Sequence, residues 1–564
     1  MASLVGVAAA GAFGAATVDA LATGDAAVYA RSIADRNLCE TTVHVGYYLL
    51  GMAATPMLPF PPDRSLNVLS AMCGAATVAC VWLLAVGYTR RASAGVAAVA
   101  VLCCNDLFVR EALFAEVYGP QLAFCTAAVL LWMRGRAIVA GLTLSAAALI
   151  SPTALLLLPA MIVMRPGAWL TTAAGTGRAT GATPCSNTNS RDGGARGAMR
   201  LRRPLQRGPR FADAIRLAVA GLTPWLAVAA WHYEDYALGP RGILKAFGAS
   251  LSFYEAASKE WSELLYGFLS CLPWVAFGVW FTAATRRYRC WIGGIALAWI
   301  LGLTLGERYP DVPLQLPLYA LLCVTAGIGF DATFRASAAS VRLRRLAAAC
   351  PAAGVVLVAW MRGPQGDEYL AGAAPMTLIA VASLAAIVCL TMVWSPRRPM
   401  FTAAPAVLGL AVCVGLSTQV VLTRVRDRRA DHVAFKRACL ELRDAAGPEY
   451  VVLSEWSRGI LFEHYVFGDA YTRYWINMEW LRGEWGESVT QRAQDRWREA
   501  IEQRQEVWLF SGFDEAISEL AAAEYEMTPF RMFLRATATP WAQPPPAGSG
   551  AERSQEKEQG GRRP

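Results

Sequence analysis

Apolar residues along this chain come in blocks of roughly 20, the length at which a helix crosses a bilayer, separated by short loops that carry arginine. The first block, Met1–Leu21, lacks the basic start of a secretory signal. Asp19 also stands where small cleavage residues would be, so the block reads as a first span. Further spans are predicted over Ser65–Gly87, Ala94–Val109, Phe114–Met133, Leu217–Trp231, Leu264–Thr282, Trp291–Leu305, Val312–Phe330, Leu346–Trp360, Ala371–Trp394 and Phe401–Leu422. Ile138–Met164 is too long for one span and too short for two. Ser151-Pro152 at its centre predicts two short helices, one entering and one returning, as is tolerated where protein surrounds the broken backbone. The total is about 13 spans.

The loop over residues 22–64 breaks this pattern. Gly24-Asp25 reads as a helix start with Asp25 as N-cap. Ala26, Tyr29 and Ile33 share one helical face, and Arg31 and Asp35 form an i,i+4 pair on another. That is a helix lying in the membrane interface. His44–Phe60 is apolar and aromatic but interrupted by Pro56 and Pro59, which predicts a second interfacial segment.

Two later stretches also change character. Residues 165–213 are rich in Gly, Ser, Thr and Arg and read as a disordered cytoplasmic insert, with binding of anionic lipid heads as the alternative. Residues 423–540 read as a small α/β domain. Strands are predicted at Tyr450–Trp456, Glu506–Ser511 and Phe530–Ala536, and helices at His432–Ala445 and Ser488–Glu502. Residues 541–564 read as a disordered tail. The fold class is therefore an all-α polytopic membrane domain over 1–422 with a small C-terminal α/β extramembrane domain.

Composition agrees: 55% of the 564 residues are hydrophobic and only 17% charged, against nearer a quarter in soluble chains. The net charge of +9 comes from arginine in short loops, not from a basic tract interleaved with exposed aromatics, so nucleic acid is not an expected partner. With two short helices at Ile138–Met164, the arginines at 90–91, 134 and 136, 165–210, 286–289, 335–345 and 397–398 fall on one side of the membrane, the cytoplasmic one. Asp25 and the C-terminal domain then lie outside. Arg424, Arg426, Arg428 and Arg429 follow the last span on that outer side, against the charge rule. The 14 cysteines are scattered without a metal-ligand spacing, so no metal and no cofactor are expected.

All four histidines, and the acids of Arg110-Glu111, Glu234-Asp235, Glu307-Arg308 and Asp367-Glu368, fall on the side of Asp25. A transporter places ionisable groups at mid-membrane. Their collection at one interface favours surface chemistry. Asp25 is the candidate general base for an acceptor hydroxyl, with a plain N-cap as the bland reading and Asp19 as a deeper competitor. Glu116, in Ala115-Glu116-Val117-Tyr118, needs a partner against an apolar helix, and Arg110 is the expected one. Arg308 suits a phosphate, with Arg241 and Lys245 as weaker candidates.

These residues resemble the C-type (GT-C) membrane glycosyltransferases, closest to the branch related to dolichyl-phosphate-mannose protein O-mannosyltransferases. Gly24-Asp25 matches a first loop reading Gly-Asp-Ser-Gly-Glu, and His44-Val45-Gly46-Tyr47 stands at His-Pro-Pro-Gly-Tyr. Asn67-Val68-Leu69-Ser70-Ala71, Ala115-Glu116-Val117-Tyr118 and Ser151-Pro152-Thr153 match further elements, and Arg308-Tyr309 resembles a later one. The likeness covers about residues 20–165 and is patchy to 330. The second acid of the first loop is replaced by Ala27-Val28, both prolines of the next element are gone, and Ser151 stands for a histidine.

The resemblance implies sugar transfer from a polyprenyl-phosphate carrier to a protein or glycan hydroxyl on the non-cytoplasmic face. Asp25 would be the base, and His44, Tyr47, Arg110, Glu116, Tyr118 and Arg308 would line the substrate site. A bacterial inner membrane is expected rather than the endoplasmic reticulum. The alternatives are a transporter or flippase, and a non-catalytic scaffold with a glycan-binding tail.

Overall fold

The computed structural model describes residues 1–22, 25–36, 44–164, 211–231, 270–285, 288–305, 316–335, 346, 349–354, 356–357, 400–446, 450–467, 475–481, 487–510 and 514–538. The expected insert at 165–213 (but for its last three residues), the span at Ala371–Trp394, the tail at 541–564, and Arg241, Lys245 and Arg308 lie outside these. The described chain divides into two units, Met1–Val433 and Ala434–Pro564.

The first unit is helical. It opens with α1 (Ala2–Ala16), α2 (Ala26–Ala34) and α3 (Val45–Ala54), and continues with α4 (Pro62–Thr89), α5 (Ala92–Cys103), α6 (Asp106–Leu113) and α7 (Tyr118–Met133). Then follow α8 (Ala137–Ile150), a 3-10 turn over Pro152–Leu156, α9 (Leu157–Met164), α10 (Phe211–Trp231), α11 (Leu272–Ala284), α12 (Arg289–Leu305), α13 (Leu316–Arg335) and α14 (Met400–Ala445). Among the described residues four helices are long and apolar enough to cross a membrane alone, Pro62–Thr89, Phe211–Val228, Leu316–Thr333 and Ala406–Ala445. Several shorter apolar helices pack among them. The apolar pattern sets the first-order fold, and small residues let the helices approach closely. At Gly278 of α11 an added Cβ would run into the Thr325 carbonyl of α13.

The span expected over Ala94–Val109 is not one helix. It breaks after Cys103 and turns by 78° into α6. Asn105 caps the new helix, its side-chain oxygen accepting from the Phe108 N–H at 2.8 Å. The turn places Asp106 in the first turn of α6, where the helix dipole favours a carboxylate. Asp106 takes Arg424 at 3.1 Å and Arg428 at 3.3 Å. Two of the arginines that follow the last span therefore meet a local carboxylate, which accounts for basic residues at that end.

The opposite end of the bundle is held by Asp331 of α13. It is fully buried and accepts from Ser93 at 3.2 Å, with Arg91 at 3.6 Å. This carboxylate beside Arg91 is an anchor at a helix end and not a mid-membrane relay.

The break expected at Ser151-Pro152 is present. Gly46 of α3 packs on it so closely that an added Cβ would lie 2.9 Å from the Ile150 nitrogen. The break thus sits at the end of the bundle that carries α2 and α3. Gln121 of α7 donates to Thr153 at 2.8 Å, and Thr153 pairs with Ser151 at 3.0 Å, so polar side chains tie the interrupted backbone to α7.

The second unit contains a five-stranded sheet in the order β2-β1-β3-β5-β4, with β1 Tyr450–Ser454, β2 Trp475–Asn477, β3 Glu506–Phe510, β4 Tyr525–Phe530 and β5 Phe533–Ala538. β1 is parallel to β2 and β3, joined through helices, and β5 is antiparallel to β3 and β4. Its core gathers Phe435, Phe462, Phe510 and Phe533 edge to face. The helix expected at His432–Ala445 is the end of the continuous helix Met400–Ala445.

Candidate functional site

The site is built where three segments meet at one end of the first unit: the approach to α2, the start of α4, and the extended link from α6 to α7. Asn67 holds them. It is fully buried, and its side-chain amide donates to the Val18 carbonyl at 2.8 Å and the Ala20 carbonyl at 2.9 Å. Its oxygen accepts from the Ala115 N–H at 2.8 Å. One side chain thus fixes the backbone shortly before Asp25 and the residue directly before Glu116. Ser70, one turn on, is fully buried as well. The Asn-x-x-Ser spacing puts both groups on one helix face.

Asp25 occupies the N-cap position of α2 and is exposed, but its side chain makes no cap bond to its own helix. The expected N-cap is present in position only. The carboxylate instead lies near the Tyr29 hydroxyl, which donates to Oδ2 at 3.4 Å. The expected faces of α2 are seen: Ala26, Tyr29 and Ile33 are buried, and Arg31 reaches Asp35 at 3.5 Å.

Tyr29 is 2% exposed and sits in a ring of aromatics. His44, Tyr47 and Tyr48 meet it edge to face, with centroids 5.6, 5.2 and 6.1 Å away. Burial and the neighbouring Glu116 and Asp25 carboxylates push the Tyr29 phenol well above its usual range. It is therefore a neutral donor at any physiological pH. Tyr47 is fully buried and shifted the same way, by burial first and by Glu116 next. It forms the wall behind Tyr29 rather than an open face.

Glu116 is half-buried, and its charge is felt by both tyrosines. Arg110, the expected partner of Glu116, donates to its own neighbour Glu111 at 2.8 Å. The structure thus brings Asp25, His44 and Tyr47 against Tyr29, with Glu116 near enough to act on its phenol by charge. Arg110 belongs to the ion-pair group of Asp106, Glu111, Arg424 and Arg428. Arg308 lies outside the described residues.

His44 gives its ring Nδ1 to the Ile150 carbonyl, tying α3 to the α8 break. Burial lowers its pKa from the ordinary 6.5, partly offset by that bond and by Asp25. A histidine whose folded pKa is depressed contributes no penalty above the unfolded value. As pH falls through 6.5 the unfolded chain gains the proton first, so stability is lost on the acid side. The melting temperature should drop by about a degree between pH 7 and 5.5, which is what about 1 kcal/mol does to a chain of this size. His44→Gln, which still donates to Ile150 but does not titrate, should remove that part of the pH dependence in a thermal melt in detergent.

No protein-family model matches the chain, and no curated protein matches it in sequence. Solved structures do match. ArnT from Cupriavidus metallidurans bound to undecaprenyl phosphate has a TM-score of 0.55 at 11% identity, covering 96% of this chain and 99% of that one. The apo state of the same protein gives 0.53 at 12%, covering 95% and 99%. An Archaeoglobus fulgidus oligosaccharyltransferase, at 0.43 and 11% over 93% of this chain and 70% of that one, is too distant to carry an argument. The chain is a polytopic helical membrane protein with a small C-terminal sheet unit. Its fold is that of the two ArnT structures.

Proposed function

We propose that the chain is a membrane glycosyltransferase that moves a sugar from a polyprenyl-phosphate carrier to a hydroxyl acceptor, a protein or a glycan, with Asp25 as general base. The observation that carries this reading is the exposed Asp25 carboxylate beside the hydroxyl of the buried Tyr29 at 3.4 Å, with the Glu116 charge acting on the same phenol, at one end of the bundle. Two further features support it. The ArnT structure of the same fold is bound to undecaprenyl phosphate. An exposed carboxylate at a bilayer surface is also where a lipid-borne donor and a water-borne acceptor can meet.

In the reaction, Asp25 takes the acceptor's O–H proton as that oxygen attacks the anomeric carbon in line. The bond from the anomeric carbon to the phosphate oxygen breaks, and its electron pair leaves with the lipid phosphate. The sugar is delivered with inversion. Glu116 orients the acceptor or donor, and Tyr118 and His44 shape the wall. Arg308 neutralises the leaving phosphate. The C-terminal unit limits which acceptor is used.

The test is transfer by the purified full chain, given polyprenyl-phosphate sugars and peptide or glycan acceptors. Loss of the sugar from every carrier at the rate of a no-enzyme control would overturn the reading. Arg308→Ala should raise the KM for the lipid donor about tenfold or more, since it removes a charge-assisted phosphate contact. An unchanged KM would remove Arg308 from the site.

A further inference from the structure

Asp25 stands at a helix N-cap yet makes no side-chain cap bond to that helix. An aspartate there ordinarily turns back to bind the N–H of the second or third helical residue. Here a partner lies one turn along α2, the Tyr29 hydroxyl at 3.4 Å. That is long for such a bond, and catalytic hydrogen bonds tighten as substrate binds. The Tyr29 ring cannot follow the carboxylate, because His44, Tyr47 and Tyr48 hold it edge to face.

We propose that Tyr29 is the positioning residue of this site: its hydroxyl, on a ring fixed by three aromatic neighbours, binds Oδ2 of Asp25 and so turns Oδ1 toward the acceptor hydroxyl. The inference rests on the transferase reading above and adds the group that aims its base. The groups facing this hydroxyl are the Asp25 and Glu116 carboxylates, the phenols of Tyr47, Tyr48 and Tyr118, and the His44 ring. Burial, and after it the nearby Glu116 and Asp25 charges, keep the phenol protonated, so it donates and does not shuttle the proton. A hydrogen bond to an ionised carboxylate favours the ionised form, so Tyr29 also keeps Asp25 ready as a base at lower pH.

Tyr29→Phe retains the ring and its three aromatic contacts and removes only the hydroxyl. In the full-length protein, kcat should fall about 10- to 100-fold with the donor KM within about twofold, as expected when an aimed group is released. The acid limb of kcat/KM should move up by about half a pH unit or more. A ring with only a packing role would leave that limb in place. Unchanged kcat and an unchanged acid limb, with an unchanged melting temperature, would overturn the proposal.

If Tyr29→Phe does not fold, 3-fluorotyrosine at position 29 keeps the shape and is a stronger donor. It should move the acid limb down, and an unmoved limb counts against the proposal. The two levels fail differently. A fully active Asp25→Asn, or a wild type with no transfer, ends the base reading and takes this proposal with it. A dead Asp25→Asn beside a normal Tyr29→Phe ends this proposal alone.

Discussion

Replacing Asp25 with asparagine should stop sugar transfer while leaving the fold and donor binding nearly intact. The structural cost is small for two reasons. Asparagine caps helices as well as aspartate does, and here the cap bond is not made in the first place. The amide oxygen of the variant side chain can also still accept from the Tyr29 hydroxyl, which the wild-type carboxylate does at 3.4 Å. The chemical loss is large, because an amide cannot take the acceptor's proton and a positioned base is worth about 10²–10⁴ in rate. Asp19→Asn should do far less, since that exposed residue lies in the bend before α2, outside the ring around Tyr29. The measurement is turnover of a polyprenyl-phosphate sugar by each purified variant, with donor binding followed separately. Full activity in the Asp25→Asn variant would remove the base from this loop.

Much of this site is written in residues whose purpose the sequence shows only partly. The apolar helices, the buried face of α2 and the break at Ser151-Pro152 follow from helix periodicity and proline chemistry, and the structure carries them. The bend between α5 and α6 does not stand out, because Ala94–Val109 is apolar throughout apart from Asn105-Asp106. The one local signal is Asn105, a residue that caps helices, followed by an acid in the first turn. Its meaning comes from Arg424 and Arg428, far away in the chain, which no local pattern connects to Asp106. Arg110 could be read as a partner for Glu116 by nearness in sequence. The 78° turn of α6 and the adjacent Glu111 decide the pairing differently. In the second unit β2 is three residues long and β4 contains Pro529, so neither announces itself by alternation. Tyr29 is visible as part of a buried helix face, while its aromatic ring of His44, Tyr47 and Tyr48 and the Glu116 charge that reaches it require the fold.

The largest effect of a residue that does no chemistry should come from Asn67→Leu. Leucine shares asparagine's branching at Cγ but is somewhat larger and offers no polar atom, so it leaves the Val18 and Ala20 carbonyls and the Ala115 N–H without the bonds they now make at 2.8, 2.9 and 2.8 Å. Asn67 is fully buried, so water cannot replace those bonds without the segments moving apart. Each orphaned group costs about 1–3 kcal/mol, and three of them cost a large part of the roughly 5–15 kcal/mol that holds a domain folded. The segments are better able to shift than to bear that cost, and a shift moves the approach to Asp25 away from Glu116. A misplacement of about 1 Å at a reacting centre costs on the order of 10² in rate. Transfer should therefore fall at least about 100-fold, together with a clear drop in melting temperature. Asn67→Asp separates the two parts of the clamp. It can still accept from the Ala115 N–H but sets a carboxylate against two carbonyl oxygens, so the Val18–Ala20 side opens while the Ala115 side holds. Its melting temperature should lie between those of wild type and Asn67→Leu, with turnover as low as in the leucine variant, because releasing either segment is enough to separate Asp25 from Glu116. Wild-type turnover in Asn67→Asp would mean that the segment before Asp25 is placed by other contacts and that Asn67 serves the fold alone.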